Sequence, residues 1–229
     1  MVIGNGFVAG RFSSYNAEDG FLIFASGVSN SKTSQIASFE REKALLSDSL
    51  KKNRNKIFVY FSTCSVYDPG EKNSAYVRHK LDLEETIKTH ADSFYIFRVS
   101  NLVGHAKNPN TVLNFFFYHI LNGINFDLWT RACRNIIDID DVFSIIDHVL
   151  KKGLLLNQVV NIANPESYPV KEIVTTVENF LDKKSNYIEI KKGGCYQADI
   201  HLIKPVMERL QVNFSGNYLG TLLKKYYTS

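Results

Sequence analysis

Short apolar runs alternate with longer amphipathic stretches along most of the chain. Phe21-Leu-Ile-Phe-Ala25, Lys56-Ile-Phe-Val-Tyr-Phe61, Phe94-Tyr-Ile-Phe-Arg-Val99 and Val159-Val-Asn-Ile-Ala163 have strand length and are rich in β-branched and aromatic residues, so they read as buried strands. Helices are predicted between and after them. Glu40 to Leu50 turns Ala44, Leu45 and Leu46 inward, and Ser74 to Lys88, free of Gly and Pro, carries Leu81, Leu83 and Ile87 on one face. Further helices are expected over Asn110 to Asn122, Val142 to Lys151, Val170 to Leu181 behind Pro169, Asp199 to Leu210 and Tyr218 to Tyr227, with a strand at Tyr187 to Ile190. The chain opens on Met1 to Ile3 and a glycine-rich turn, Gly4-Asn-Gly6-Phe7-Val8-Ala9-Gly10, and leaves room for only one helix before Phe21.

Candidate chemistry gathers after the strand at Lys56. The run ends in Ser62-Thr63-Cys64-Ser65, continues through Val66-Tyr67 and turns at Asp68-Pro69-Gly70. In the helix that follows, Tyr76 and Lys80 stand four residues apart, which places both on one face. The chemistry that wants such a pair is proton transfer at an alcohol or carbonyl oxygen near neutral pH. A free Tyr is about three pH units too weak a base for it, a gap of roughly 4 kcal/mol. An ammonium about 4 Å away, at an effective dielectric constant of about 20, supplies about that much. Thr63 would then share the substrate oxygen. Alone, Tyr-x-x-x-Lys is a weak signal that reads more readily as a solvated helix face with an ordinary Tyr.

Composition narrows the class. A chain of 229 residues, 45% hydrophobic and 22% charged, suffices for one substantial core or for a core with a small lobe. Three Cys, at 64, 133 and 195, with no metal-ligand spacing, suggest reduced thiols in a cytosol and no metal site. No basic region precedes an apolar stretch at the start, and the longest apolar run, around Leu113 to Ile120, cannot span a bilayer, so a cytoplasmic protein off the membrane is expected. The net charge of +4 is spread out, and its densest cluster, Lys51 to Lys56, reads as a solvated helix end. A nucleic-acid partner is therefore not expected, whereas an anionic nucleotide diphosphate suits the balance. His119 and the other histidines suggest no partners, and the phenylalanines near it read as core.

Ser62-Thr63-Cys64-Ser65-Val66-Tyr67 followed by Tyr76-Val-Arg-His-Lys80 resembles the active-site region of the extended short-chain dehydrogenases, the NAD-dependent epimerase/dehydratase family. Gly4-Asn-Gly6-Phe7-Val8-Ala9 resembles that family's Gly-x-Gly-Phe-Ile-Gly run, Phe94 to Gly104 its Leu-Arg-x-x-Asn-x-x-Gly segment, and Arg134-Asn-Ile-Ile-Asp-Ile-Asp-Asp141 its Arg-Asp-Phe-Ile-x-Val-Asp-Asp signature. The resemblance implies an α/β fold, a Rossmann-like doubly wound parallel sheet with a small interleaved α/β substrate lobe. A shortened dinucleotide-binding core would occupy residues 1–108, and residues 109–229 would hold the remaining core elements, about 134–163, interleaved with the lobe. It implies catalysis by Thr63, Tyr76 and Lys80, and an NAD or NADP cofactor held by Gly4, Gly6, Phe7, Val8, Ala25, Ser26, Gly27, Lys80 and Ser100. A nucleotide-linked sugar would be held by Asn101, Asn114 and Arg134, while Asp140 and Asp141 cap a helix. A homodimer through the Tyr76 helix and the one before it is a further expectation.

Two departures qualify that reading. The first strand is short, and the strand-helix-strand segment that in the family carries the selector for the adenosine ribose has no counterpart between Gly10 and Phe21. Arg11 could meet a 2′-phosphate or simply be a surface Arg. In relatives that dehydrate, an Asp-Glu pair follows the Thr; here Cys64 and Ser65 stand there, which disfavours dehydration. The expected activity is therefore hydride transfer at a sugar carbon, with a keto-sugar reductase slightly preferred to an epimerase. The alternative is a family member without turnover that binds nucleotide sugars or proteins.

Overall fold

A computed structural model describes residues 1–28, 35–214 and 216–228, so Ser29 to Ser31, the end of the small-residue stretch after Phe21, lie outside the described residues. The first half of the chain winds β1 (Val2–Ile3), α1 (Phe7–Arg11), β2 (Phe21–Phe24), α2 (Ile36–Lys52), β3 (Ile57–Thr63), α3 (Ala75–His90), β4 (Phe94–Val99) and β5 (Asn101–Val103). The second half adds α4 (Val112–Leu121), β6 (Phe126–Trp129), β7 (Cys133–Arg134), β8 (Ile136–Asp138), α5 (Ile139–Lys152), β9 (Gln158–Ile162), β10 (Tyr168–Pro169), α6 (Val170–Leu181), β11 (Tyr187–Ile190), α7 (Lys204–Arg209) and α8 (Tyr218–Tyr227). The central sheet runs β1-β2-β3-β4-β9, every neighbour parallel.

Alternation along each strand loads both faces of this sheet, as a doubly wound fold requires. Ile23, Val59 and Phe97 point to one side, where Phe12, Ile145, Val149 and Met207 cover them; Leu22, Phe24, Phe58 and Tyr60 point to the other, against Leu46, Leu50, Leu83 and Ile87. A third apolar cluster joins α4, α6 and α8 to β6 through Phe116, Leu128, Ile173, Val177 and Leu222. No helix among the described residues is long and apolar enough to cross a membrane.

β1 lies at the sheet's edge. Only Val2 and Ile3 pair with β2, and the outward N–H of Val2 donates to Asn16 Oδ1 at 2.9 Å, from the 3-10 turn Ser13–Ala17 that closes the link to β2. Arg11, the last residue of α1, meets Asp140 at 2.6 Å and lies 3.6 Å over the Phe143 ring, which makes it an internal tie to α5.

Four expectations are corrected. In α2 Ala44 faces out, and Glu42 is buried on the stripe with Leu46, Ser49 and Leu50. The stretch Asp199 to Leu210 is helical only over α7, since Asp199 instead turns its carboxylate onto the His201 N–H. Asp138, not Asp140 or Asp141, caps α5, accepting the Asp140 N–H at 2.8 Å. Finally, Cys133 and Cys195 form a disulfide, with Cα atoms 4.6 Å apart, and only Cys64 is free. Backbone bonds from Thr130, Arg131 and Cys133 to Ile190, Lys192 and Gly194 lay the two segments side by side, a pairing that spans 62 residues and leaves no local trace in the sequence.

Candidate active site

β3 delivers Thr63 to the carboxyl end of the sheet, where a 3-10 turn, Cys64–Tyr67, begins. Thr63 is buried, and its Oγ1 caps that turn by accepting the Ser65 N–H at 3.0 Å, which leaves the hydroxyl hydrogen available to an outside oxygen. Cys64 is buried too, its thiol donating to the Arg98 carbonyl at 3.1 Å, and burial pushes it up to about 12. Ser74 caps α3 by accepting the Val77 N–H at 3.1 Å, fixing the first turn on which Tyr76 stands.

Tyr76 and Lys80 share a face of α3, with Lys80 Nζ 5.9 Å from the Tyr76 ring centre. The ammonium is not free to serve the phenol alone. It donates to Glu42 Oε1 at 2.9 Å and to Tyr60 Oη at 3.1 Å, and it is buried. Burial opposes charge on Lys80, but Tyr60, Tyr76 and Glu42 outweigh it and hold the ammonium above the usual lysine range. Glu42 also accepts the Val28 N–H at 2.8 Å and faces His79 Nε2 at 3.0 Å. Burial would raise its carboxyl, yet His79, Lys80 and Val28 together bring it down to about 2. Sequence reasoning missed Glu42, Tyr60 and His79. The available signal was helical phase, since Glu42 precedes Leu46 by one turn and so shares its inward stripe.

The residues expected at a dinucleotide follow the carboxyl ends of β1, β2 and β4, beside this cluster. Gly4 has φ +130° and a Cβ there would lie 2.5 Å from the Ala25 carbonyl oxygen, so the first turn touches the segment after β2 as only glycine permits. Gly6 opens α1 with free space where a Cβ would stand, Val8 packs into the core, and Phe7 fills the hollow over Gly104. Ala25 and Ser26 are half-buried and Gly27 exposed, the latter lying directly on the Lys80–Glu42 pair. At the end of β4, Ser100 Oγ is buried without a hydrogen-bond partner, the one such side-chain atom among the described residues. An unsatisfied buried hydroxyl calls for a ligand group or water. This cradle and this hydroxyl fit the diphosphate and nicotinamide portions of a dinucleotide. Beyond β1 the described residues place no further strand for adenosine.

The three residues expected at the sugar nucleotide are less free. The Asn101 amide donates to the Asn135 carbonyl at 2.7 Å. Asn114 donates to the Ala106 and Asn108 carbonyls at 2.9 and 2.8 Å and accepts from Tyr227, tying α4 and its preceding loop to α8. It borders a cavity of about 320 Å³ walled by His105, Phe117, Tyr118 and Tyr226. Arg134 donates to the Cys133 carbonyl at 2.8 Å and meets Asp68 at 3.4 Å, keeping several guanidinium donors for an anion. Arg98 is structural, since it grips Glu84 at 2.6 and 2.9 Å, and Glu84 in turn accepts from Ser62.

Fold and site together define a Rossmann-like α/β protein with Thr63 at the carboxyl end of β3 and Tyr76 and Lys80 on the helix that follows it. The NAD dependent epimerase/dehydratase family matches over residues 24–163, more than half of the sequence, and the chain belongs to that family. No curated protein matches it. Among solved structures it is similar to the dTDP-glucose 4,6-dehydratase of Bacillus anthracis in complex with NAD, with a TM-score of 0.71 and 17% identity over 97% of this chain and 77% of the other. The UDP-glucuronic acid 4-epimerase of Bacillus cereus, in complex with UDP-glucuronic acid and NAD, gives 0.74 and 18% over 96% and 78%. RMD from Pseudomonas aeruginosa, complexed with NADPH, gives 0.71 and 14% over 98% and 96%. At such identities the likeness establishes the fold.

Proposed function

We propose that this protein is an NAD(P)-dependent oxidoreductase or epimerase acting on a nucleotide-activated sugar, with keto-sugar reduction favoured over epimerisation. The observation that carries the reading is a buried Thr63 hydroxyl with its hydrogen uncommitted, at the end of the strand against which the Tyr76–Lys80 helix packs, within a span matched by the family. A bound nicotinamide would supply or accept the hydride. Tyr76 transfers the proton to or from the sugar oxygen, and Thr63 donates a hydrogen bond to that same oxygen. By the family resemblance, Lys80 and Ser100 would stand at the nicotinamide half and the glycine turn at the diphosphate, while Arg134 would take the substrate's own diphosphate and Asn101 and Asn114 other groups of the sugar nucleotide. Cys64, locked onto the Arg98 carbonyl and raised to about 12 by burial, is no acid for dehydration.

The second reading, a binding module without turnover, draws on one feature: the Lys80 ammonium is already paired by Glu42. Titration of NADH and NADPH by fluorescence, then hydride transfer to nucleotide-linked keto sugars, separates the two. Tyr76→Phe is expected to lower kcat roughly 10²- to 10⁴-fold while leaving dinucleotide affinity intact. If neither dinucleotide binds at up to about millimolar concentration, beyond the usual range of productive affinity, the enzyme reading fails.

A further inference from the structure

Glu42 is the meeting point of the elements around Lys80. Its Oε1 accepts from Lys80 Nζ at 2.9 Å and Tyr60 Oη at 3.2 Å; its Oε2 accepts the Val28 N–H at 2.8 Å and faces His79 Nε2 at 3.0 Å. One carboxylate thus joins α2, β3, α3 and the segment after β2. The last of these rests on the ion pair itself, because a Cβ on Gly27 would lie 2.7 Å from Lys80 Nζ and 3.0 Å from Glu42 Oε1. Neither Glu42 nor Lys80 reaches solvent to any useful extent, at 0% and 3% exposure, so water does little to weaken their fields.

We propose that Glu42 is a positioning residue of this active site, fixing the Lys80 ammonium under the Ala25–Val28 segment and offsetting the positive charge that Lys80 presents to Tyr76. Its catalytic meaning rests on the function proposed above. A lone ammonium 5.9 Å from the centre of the phenol ring would attract charge on that ring. With a carboxylate 2.9 Å from that ammonium, Tyr76 feels a dipole in place of a charge. Among the described residues, the groups facing the pair are Tyr60 from β3, His79 and Tyr76 from α3, and the Val28 backbone N–H from the segment after β2.

The test is an ultraviolet titration of tyrosinate absorbance in the full chain, the Tyr76 contribution being taken as the difference between each protein and the same protein carrying Tyr76→Phe. In Glu42→Gln that contribution is expected roughly one pH unit lower than in wild type. The high-pH limb of keto-sugar reduction moves down with it. Where Glu42→Gln does not fold, Lys80→Met provides the converse, since the remaining carboxylate moves the Tyr76 signal to higher pH and the Glu42→Gln/Lys80→Met double variant returns it towards wild type. A Tyr76 signal at the same pH in all these folded proteins overturns the proposal and leaves the pair a structural one. The titration needs neither dinucleotide nor sugar, so failure of NADH to bind counts against the proposed function and not against this charge coupling.

Discussion

Glu42 keeps four donors on a carboxylate closed to solvent, and its response to acid follows. The group sits at about 2 in the folded protein against 4.5 for a free Glu, because His79, Lys80 and Val28 outweigh burial. A depressed carboxylate contributes stability that is fully present above its unfolded value and is lost as the pH falls through the folded one. Wild type is therefore expected to lose stability progressively below about pH 4.5 on account of this residue. Glu42→Gln leaves the Lys80 charge buried and unpaired, at a cost of about 3–5 kcal/mol near neutrality. Urea midpoints measured from neutral to acid pH should show the gap between the two proteins narrowing towards pH 2, the folded value of Glu42. A gap independent of pH would mean that the carboxylate's charge is not what holds the cluster.

At the scale of the element, the helix that carries Tyr76 depends on its first turn. Ser74 accepts the Val77 N–H, and Tyr76 lies within the turn so fixed, whereas Lys80 a turn later is held independently by Glu42. Ser74→Ala is expected to cost about 1 kcal/mol by thermal unfolding. Under the proposed function it should also lower kcat by more than it changes dinucleotide affinity, because fraying moves Tyr76 and spares Lys80. Equal losses in both would show that the turn does not frame the phenol. The elements legible in the sequence were those whose own pattern decides them. Thus α6, β11 and α8 follow the expected limits, set by Pro169 and by runs of apolar residues. In contrast β6, β7 and β10, two to four residues each, owe their existence to partners elsewhere in the chain. Glu42 was hidden for a related reason. A charged residue reads as a solvated position until the partner that neutralises it, 38 residues away on another helix, is in view.

At the scale of the molecule, the Cys133–Cys195 bond ties the long connection between β11 and α7 to β7, beside Arg134. Closing a loop of this length, 62 residues, restricts the unfolded chain by about 4 kcal/mol on a chain-entropy account. Cys195 is exposed, so a mild reductant reaches the bond, while Cys64 is buried. Thiol titration of the native, unreduced protein is therefore expected to find almost none reactive, denaturation to reveal Cys64 alone, and reduction to reveal all three. Reduction should lower the thermal midpoint and, through the connection, reach the substrate side. Gly194 packs on Pro69 of the turn whose Asp68 pairs with Arg134, so release of Cys195 loosens the guanidinium's support. Under the proposed function, KM for the sugar nucleotide then rises while NADH affinity, set at the far side by Gly4 and the Ala25–Gly27 segment, stays constant. A reduced protein with unchanged KM would detach Arg134 from substrate binding, and one with unchanged thermal midpoint would show that the strands alone hold this lobe together.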